Sequence, residues 1–433
     1  MRHASFRRRR VCLILGVLVC AASSATTSAG HAAENWPQFR GPGGDGLSDA
    51  KTLPVTWSET PSQNIAWKTP IRGKAWSSPV VWGKQVWVTT APPDGKQLFA
   101  ICVDRDSGKI IHDVKVFDIE KPQTSPVDKN SYASSTPVIE EGRIYVHFGA
   151  HGTACLDTQT AKILWTRQDL PCNHWRLPAS SPILFEDLLV LTFDGHDLQY
   201  LAALDKQTGK TVWKRDRNIA YKSDDGDIKK AYSTPSVFDV GGVRQLVSPS
   251  AGASIAYNPR TGEELWRVQS GGMNAACRPL FGHGMFFLNA PDGGINLFAV
   301  KPDGRGDITG SHIAWKVTKG APRYGSPLLV GDLLFVGSDQ GVVTCVDPLT
   351  GETVWQNRVG GVFTASPIAA AGRVYLFSED GTATVIAANR EFKVLATNKL
   401  DDGFMASPAV TGNSLILRTK THLYRVEDGG RGT

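Results

Sequence analysis

Ala203-Leu204-Asp205-Lys206-Gln207-Thr208-Gly209-Lys210-Thr211-Val212-Trp213 decides the fold, because the chain repeats its pattern. Cys345-Val346-Asp347-Pro348-Leu349-Thr350-Gly351-Glu352-Thr353-Val354-Trp355 is a second copy. Residues 256–266 give a third with Asn258 in the Asp slot, and 154–165 a fourth with Ala161 where Gly is expected. Asp or Asn starts a turn by bonding its own backbone, and Gly takes the positive φ that closes it. The Trp four residues later falls on the next strand, where it can pack against a neighbouring sheet. Apolar runs such as Leu188-Leu189-Val190-Leu191-Thr192-Phe193 and Leu333-Leu334-Phe335-Val336 read as strands.

A second marker sets the period. A small residue before Pro and an apolar run recurs as Ser78-Pro79, Thr136-Pro137, Ser181-Pro182, Thr234-Pro235, Ser326-Pro327, Ser366-Pro367 and Ser407-Pro408, with Arg278-Pro279 as an irregular eighth copy. Successive prolines lie 40 to 58 residues apart, the length of four short strands and their turns. Such units cannot bury both faces alone, and closing them into a ring does so. The eighth repeat ends near Val426 before any Trp-bearing fourth strand, whereas Asn64-Ile65-Ala66-Trp67-Lys68 has that strand's pattern at the other end. The expectation is an all-β, eight-bladed β-propeller of four-stranded antiparallel blades, closed by an N-terminal strand. Its parts are a signal at 1–33, a lead-in at 34–63, the propeller at 64–428 and a tail at 429–433.

Composition agrees. The 433 residues are 41% hydrophobic, with 44 Gly, 25 Pro and 12 Trp against 4 Met, which suits a large β core and not a disordered or helical chain. The net charge of +6 is misleading, because Arg2 and Arg7 to Arg10 supply five positive charges and no acid precedes Glu34. The rest is near neutral, which excludes a nucleic-acid surface as the leading reading. Those arginines, the short apolar run at 11–22 and the small residues before Ala32 and Ala33 make a secretory signal cleaved near either alanine. Cys20 allows lipidation, but Val19 before it suits that processing poorly, and Arg9-Arg10 matches a twin-arginine signal poorly. The mature chain is expected to be exported, periplasmic or extracellular, without a membrane span.

The alanine–aspartate–threonine–glycine–tryptophan repeats resemble the PQQ-type propeller repeat family, which includes quinoprotein alcohol dehydrogenases and the assembly lipoprotein BamB. Asn35-Trp36-Pro37-Gln38-Phe39-Arg40-Gly41-Pro42 resembles the lead-in of secreted members from planctomycete-type bacteria. The resemblance, over about 34–428, implies the fold strongly and function weakly. It implies a PQQ and calcium site only if the dehydrogenases' adjacent cysteine pair and carboxylate set are present. No two cysteines are adjacent here. Cys102, Cys155 and Cys345 fill a small core slot two residues before the turn Asp, so they read as free thiols. No cofactor is expected, with PQQ and calcium as the alternative.

Two candidate sites follow from where the repeats depart from their own average. The loops from strand four to the next strand one, and from strand two to three, share one face around the channel mouth. Trp76, Tyr132, Tyr232, Tyr324, Phe363 and Phe404 stand there beside Lys74, Lys230, Arg278 and Arg323. Aromatics beside cations can stack on sugars or peptide side chains while attracting carboxylates. The second candidate, at the junction of blades 2 and 3, is a metal site using His151, Cys172, His174, Asp194, His196 and Asp197. The leading functional expectation is an exported, non-catalytic binding propeller, monomeric, holding an envelope protein, peptide or glycan on that face. A quinoprotein-like alcohol dehydrogenase is the competing class.

Overall fold

The computed structural model describes Met1, His3 and residues 35–317 and 320–429. Apart from Met1 and His3, the segment expected to be an export signal, with Cys20, and the tail beyond Gly429 lie outside the described residues. Among the described residues no helix is long and apolar enough to cross a membrane.

Eight antiparallel sheets carry the chain in sequence. Blade 1 runs from Val80–Trp82 to Ile110–Asp118, blade 2 from Val138–Glu140 to Ile163–Arg167, and blade 3 from Ile183–Phe185 to Thr211–Asp216. Blades 4 and 5 start at Ser236–Val240 and Leu280–Gly282, and blades 6 and 7 at Leu328–Val330 and Ile368–Ala370. Blade 8 takes its first three strands from Ala409–Thr411, Ser414–Arg418 and His422–Val426, and its fourth from Ile65–Pro70 near the other end of the sequence. The fold is the eight-bladed propeller that the repeats imply, with its ring closed by the expected strand.

The repeated tryptophan explains the blade joints. Trp67, Trp165, Trp213, Trp315 and Trp355 each donate their indole N–H to a backbone carbonyl of the following blade, those of Arg105, Lys206, Pro259, Pro348 and Asn389, at 2.8 to 3.2 Å. Under four of these rings lies the turn glycine. Gly209 has φ +72°, and a Cβ on it would stand 2.7 Å from Trp165. The turn itself is closed by Asp205, whose carboxylate accepts from the Thr208 N–H at 2.8 Å and hydroxyl at 2.7 Å. One sequence motif therefore makes the hairpin, docks the previous blade and satisfies the buried indole.

Trp266 departs from the pattern. Its N–H goes to Gln245 of its own blade at 2.7 Å, and its ring packs on Phe286 of blade 5. Blade 5 lacks the tight turn and instead sends Gly306–Asp307 back as a fifth, parallel strand on blade 4.

Residues 36–48 cross the inner strands at the channel, and residues 53–59 then pack on the later strands of blades 7 and 8. Trp36 exchanges two backbone bonds with Val81 in blade 1, and the Pro37 carbonyl accepts from Ile139 in blade 2. Arg40 donates to the carbonyls of Ser326 and Pro327 in blade 6 at 3.1 and 2.7 Å. Gly46 and Ser48 bond Ala369 in blade 7, and Asn398 brackets Val55 and Trp57. Trp36 and Trp57 are each only 2% exposed. The lead-in is thus a plug that crosses the channel before the chain becomes the fourth strand of blade 8.

Candidate functional site

The plug leaves a cup at the opposite, loop-bearing end of the channel. Its space, counted out into open solvent, is about 930 Å³, with Phe39 of the plug among the residues lining it. The crossovers between blades supply most of the wall: Trp76, Lys129, Arg176, Tyr232, Asn274 and Tyr324, with Asp292 from the loop between the second and third strands of blade 5. Each crossover runs from an outer fourth strand to the next inner strand, which brings these side chains to the axis, and the crossover from blade 3 to blade 4 carries a short 3-10 helix at Gly226–Lys229.

Three cations, Lys129, Arg176 and Arg323, face one lining carboxylate, Asp292. Lys129 reaches from the connection between blades 1 and 2 across the mouth. It pairs with Glu379 at 2.6 Å, bonds Thr364 at 3.1 Å, and stands 4.2 Å from the Tyr324 ring centre. Asp292 is held by Arg323 at 3.1 Å and by the Asn274 amide at 2.7 Å. Arg176 is different. Among the described residues its guanidinium makes no ion pair, and its Nε is shielded from solvent without a hydrogen-bond partner.

Lower in the cup the Ser/Thr-Pro residues form a chain of hydrogen bonds around the axis. The N–H of Ser78 donates to the Thr136 hydroxyl at 2.9 Å, Thr136 to Ser181 at 3.0 Å, and Ser181 to Thr234 at 2.9 Å. Arg278 then donates to Ser326, Ser326 to Ser366, Ser366 to Ser407, and Ser407 back to Ser78, at 2.8 to 3.0 Å. The circle breaks only between Thr234 and Arg278, where the eighth copy lacks a hydroxyl. The sequence carries a signal for this ring that the repeat period alone does not reveal: the residue before Pro bears a hydroxyl in seven of the eight copies.

Of the expected aromatic and cationic residues, Trp76, Tyr232, Arg323 and Tyr324 come together in the cup. Lys74 and Tyr132 line a neighbouring cleft, where Lys74 pairs with Asp128 and the Tyr132 hydroxyl donates to the Gln123 carbonyl at 2.7 Å. The Lys230 ammonium is buried against Asp227. Arg278 points away from the mouth into the plug, donating to the Phe39 carbonyl and Gln38. Burial, reinforced by nearby Arg40, lowers its pKa to about 9, so it remains a cation at neutral pH. Phe363 and Phe404 are 3% and 1% exposed and seal blade junctions.

At the junction of blades 2 and 3 the structure ties the donor atoms to the protein itself. The ring nitrogen Nε2 of His174 accepts from the Ala150 N–H at 3.1 Å, and Nε2 of His151 from the Gln123 N–H at 3.0 Å. Each lone pair is therefore engaged, which leaves the proton on Nδ1. Asp194 forms a fully buried, bidentate pair with Arg217. His196 stacks on Trp175 at 4.7 Å, and Asp197 accepts from the backbone of Asn173 and Leu198. Cys172 and His174 do meet, with Sγ 3.7 Å from Nδ1, but burial raises the thiol pKa well above its usual range. Among the described residues no group of three or more His, Cys, Asp or Glu is placed to hold a metal ion.

The same donor chemistry bears on a calcium-held quinone. Calcium takes six to eight oxygen ligands, usually several from carboxylates. The cup offers one lining carboxylate, already engaged by Arg323 and Asn274. The five described cysteines are free, buried and spread over different blades and crossovers. The residues present do not fit that group.

The family model described as "Outer membrane protein assembly factor BamB" matches residues 66–217 and 304–393, more than half of the chain. The chain belongs to this family. Within and around the BamB family, the chain is 25% identical over 205 residues to BamB of Legionella pneumophila, covering 47% of this chain and 49% of that protein. It is 29% identical over 213 residues to the quinoprotein ethanol dehydrogenase of Pseudomonas aeruginosa, covering 45% of this chain and 31% of the enzyme. The matches thus span half or less of these relatives. The quinohemoprotein alcohol dehydrogenase structure from Comamonas testosteroni superposes with a TM-score of 0.67 at 12% identity, over 92% of this chain and 81% of that one. That likeness concerns the fold alone.

Proposed function

We propose that this BamB-family chain is an exported, non-catalytic binding propeller of the cell envelope, which receives a protein, peptide or glycan at the cup on its loop-bearing face. The observation that carries this reading is the cup itself, closed below by the plug and walled by aromatics and by cations, one of which, Arg176, makes no ion pair among the described residues. Such a surface binds polar anionic groups. The donor set supports binding over chemistry, because the lone carboxylate is locked and the thiols are buried. The description of the family as an outer membrane assembly factor supports an envelope partner.

The test is a crosslinked capture from an envelope fraction, with the purified chain as bait, run beside a titration of the same protein with PQQ and calcium. Capture of a defined envelope component with no bound-quinone spectrum is the expected result. A bound-quinone spectrum accompanied by alcohol oxidation would replace this reading with the dehydrogenase one.

A further inference from the structure

The hydroxyl ring has a consequence for what the cup can hold. A Ser or Thr hydroxyl carries one donor and two acceptor sites. In the seven ring members the oxygen already accepts a backbone N–H from the neighbouring blade. None of the seven has a protein acceptor for its own proton among the described residues. All of them except Ser326 line the cup. The base of the cup is therefore a circle of outgoing O–H donors, arranged around the axis and not on one side of it. Above it stands Arg176, an unpartnered guanidinium whose Nε is already out of water. Trp76, half-buried and with its N–H occupied by the Lys129 carbonyl at 3.1 Å, presents an apolar wall.

A ligand that matches must offer hydrogen-bond acceptors in every direction around its girdle, one negative group, and a flat apolar face. An extended acidic peptide offers a carboxylate but no equatorial ring of acceptors. A sugar ring offers all three when it bears a carboxylate or sulfate, since its axial C–H face suits an aromatic wall. We infer that the cup binds a single acidic sugar unit, its anionic group on Arg176 and its ring oxygens over the Ser/Thr circle. This rests on the reading of the loop-bearing face as a binding surface, and it names the ligand class for that face. Arg323 flanks the site but is committed to Asp292. Arg176 should therefore carry most of the discrimination for charge.

The experiment is a calorimetric titration of the full chain with galacturonate, galactose 6-sulfate, galactose and a Glu-Glu dipeptide, repeated on Arg176→Met. Both acidic sugars are expected to bind, and their ratio tells carboxylate from sulfate as the preferred source of the charge. Galactose should bind about tenfold or more weakly, the usual scale for losing a charge-assisted hydrogen bond. Arg176→Met should remove that difference with little shift in melting temperature, since among the described residues the guanidinium makes no ion pair and acts on Asp227 only through its field. Equal affinity for galactose and galacturonate, a dipeptide that binds as well as the sugars, or an Arg176→Met protein that binds normally would each overturn the inference. If no sugar binds while envelope capture persists, the inference falls and the broader reading stands. If capture also fails, both fall.

Discussion

Lys129 and Glu379, 250 residues apart in sequence, join at 2.6 Å across the mouth of the cup. The connection between blades 1 and 2 is thereby strapped to blade 7, with the Tyr324 ring beneath the ammonium. Both side chains are about a quarter exposed, so the pair is worth about 1 kcal/mol or less. Lys129→Met should therefore barely move global stability. It should instead speed backbone amide exchange over residues 119–137, because the strap is one of the few ties that connection has at its tip. Unchanged exchange there would show that the strap is incidental.

The joint between blades 2 and 3 makes a sharper prediction. Gly209 combines a φ of +72° with Trp165 pressed 2.7 Å from where a Cβ would be. Gly209→Ala adds the left-handed penalty of about 1–2 kcal/mol to an overpacking cost of about 1–3 kcal/mol. A loss of about 2–5 kcal/mol in urea unfolding is expected. At Ala161, which already holds φ +58° in the matching turn of blade 2, the reverse change Ala161→Gly should stabilise or be neutral.

These joints show why the fold was legible and much of the site was not. Asp205, Gly209 and Trp213 belong to a local motif whose physics recurs in several blades, and with the Ser/Thr-Pro marker it gives blade count, period and ring closure. The cup depends on where single side chains point. Arg278 read as a mouth residue by its place before Pro279, yet it turns into the plug because Gln38 and the Phe39 carbonyl await it there. His151 and His174 read as metal ligands by type, while their lone pairs had backbone donors in loops that only folding brings near. Arg176 has no signal in the sequence, since nothing local marks a guanidinium that will make no ion pair.

The hydroxyl ring can be probed separately from any ligand. Thr136→Val keeps the shape of the side chain but removes the acceptor for the buried Ser78 N–H. A buried donor left without a partner costs about 1–3 kcal/mol. Thr136→Ser retains the oxygen and should lose well under that. If chemical denaturation gave both variants the same stability, the inter-blade bond would contribute nothing and the ring would be a by-product of crowding at the axis.

The last prediction concerns acid. His147 and His174 flank the ring of Phe193, and burial lowers the pKa of each to about 3. In the unfolded chain both should titrate near the ordinary value of about 6.5. Between those values the unfolded state binds protons that the native state refuses, so stability rises with pH across that window. The histidines' contribution is complete above about pH 6.5 and is lost as pH falls toward about 3. For His174 the refusal has a visible cause, since Nε2 faces the Ala150 N–H and a second proton would set donor against donor. His174→Gln can still accept from that N–H but cannot titrate. Its overall stability at pH 7 is not the readout, because the shape change has its own cost. The readout is the slope. Each such histidine steepens the acid side by about 1.4 kcal/mol per pH unit well below 6.5. Between pH 6.5 and 4.5 the variant should therefore lose about 2 kcal/mol less than the wild type. The Asp194–Arg217 pair and the surface carboxylates weaken equally in both proteins and cancel in the difference. Parallel slopes would mean that His174 accepts its proton in the native state, and that the junction of blades 2 and 3 opens in acid.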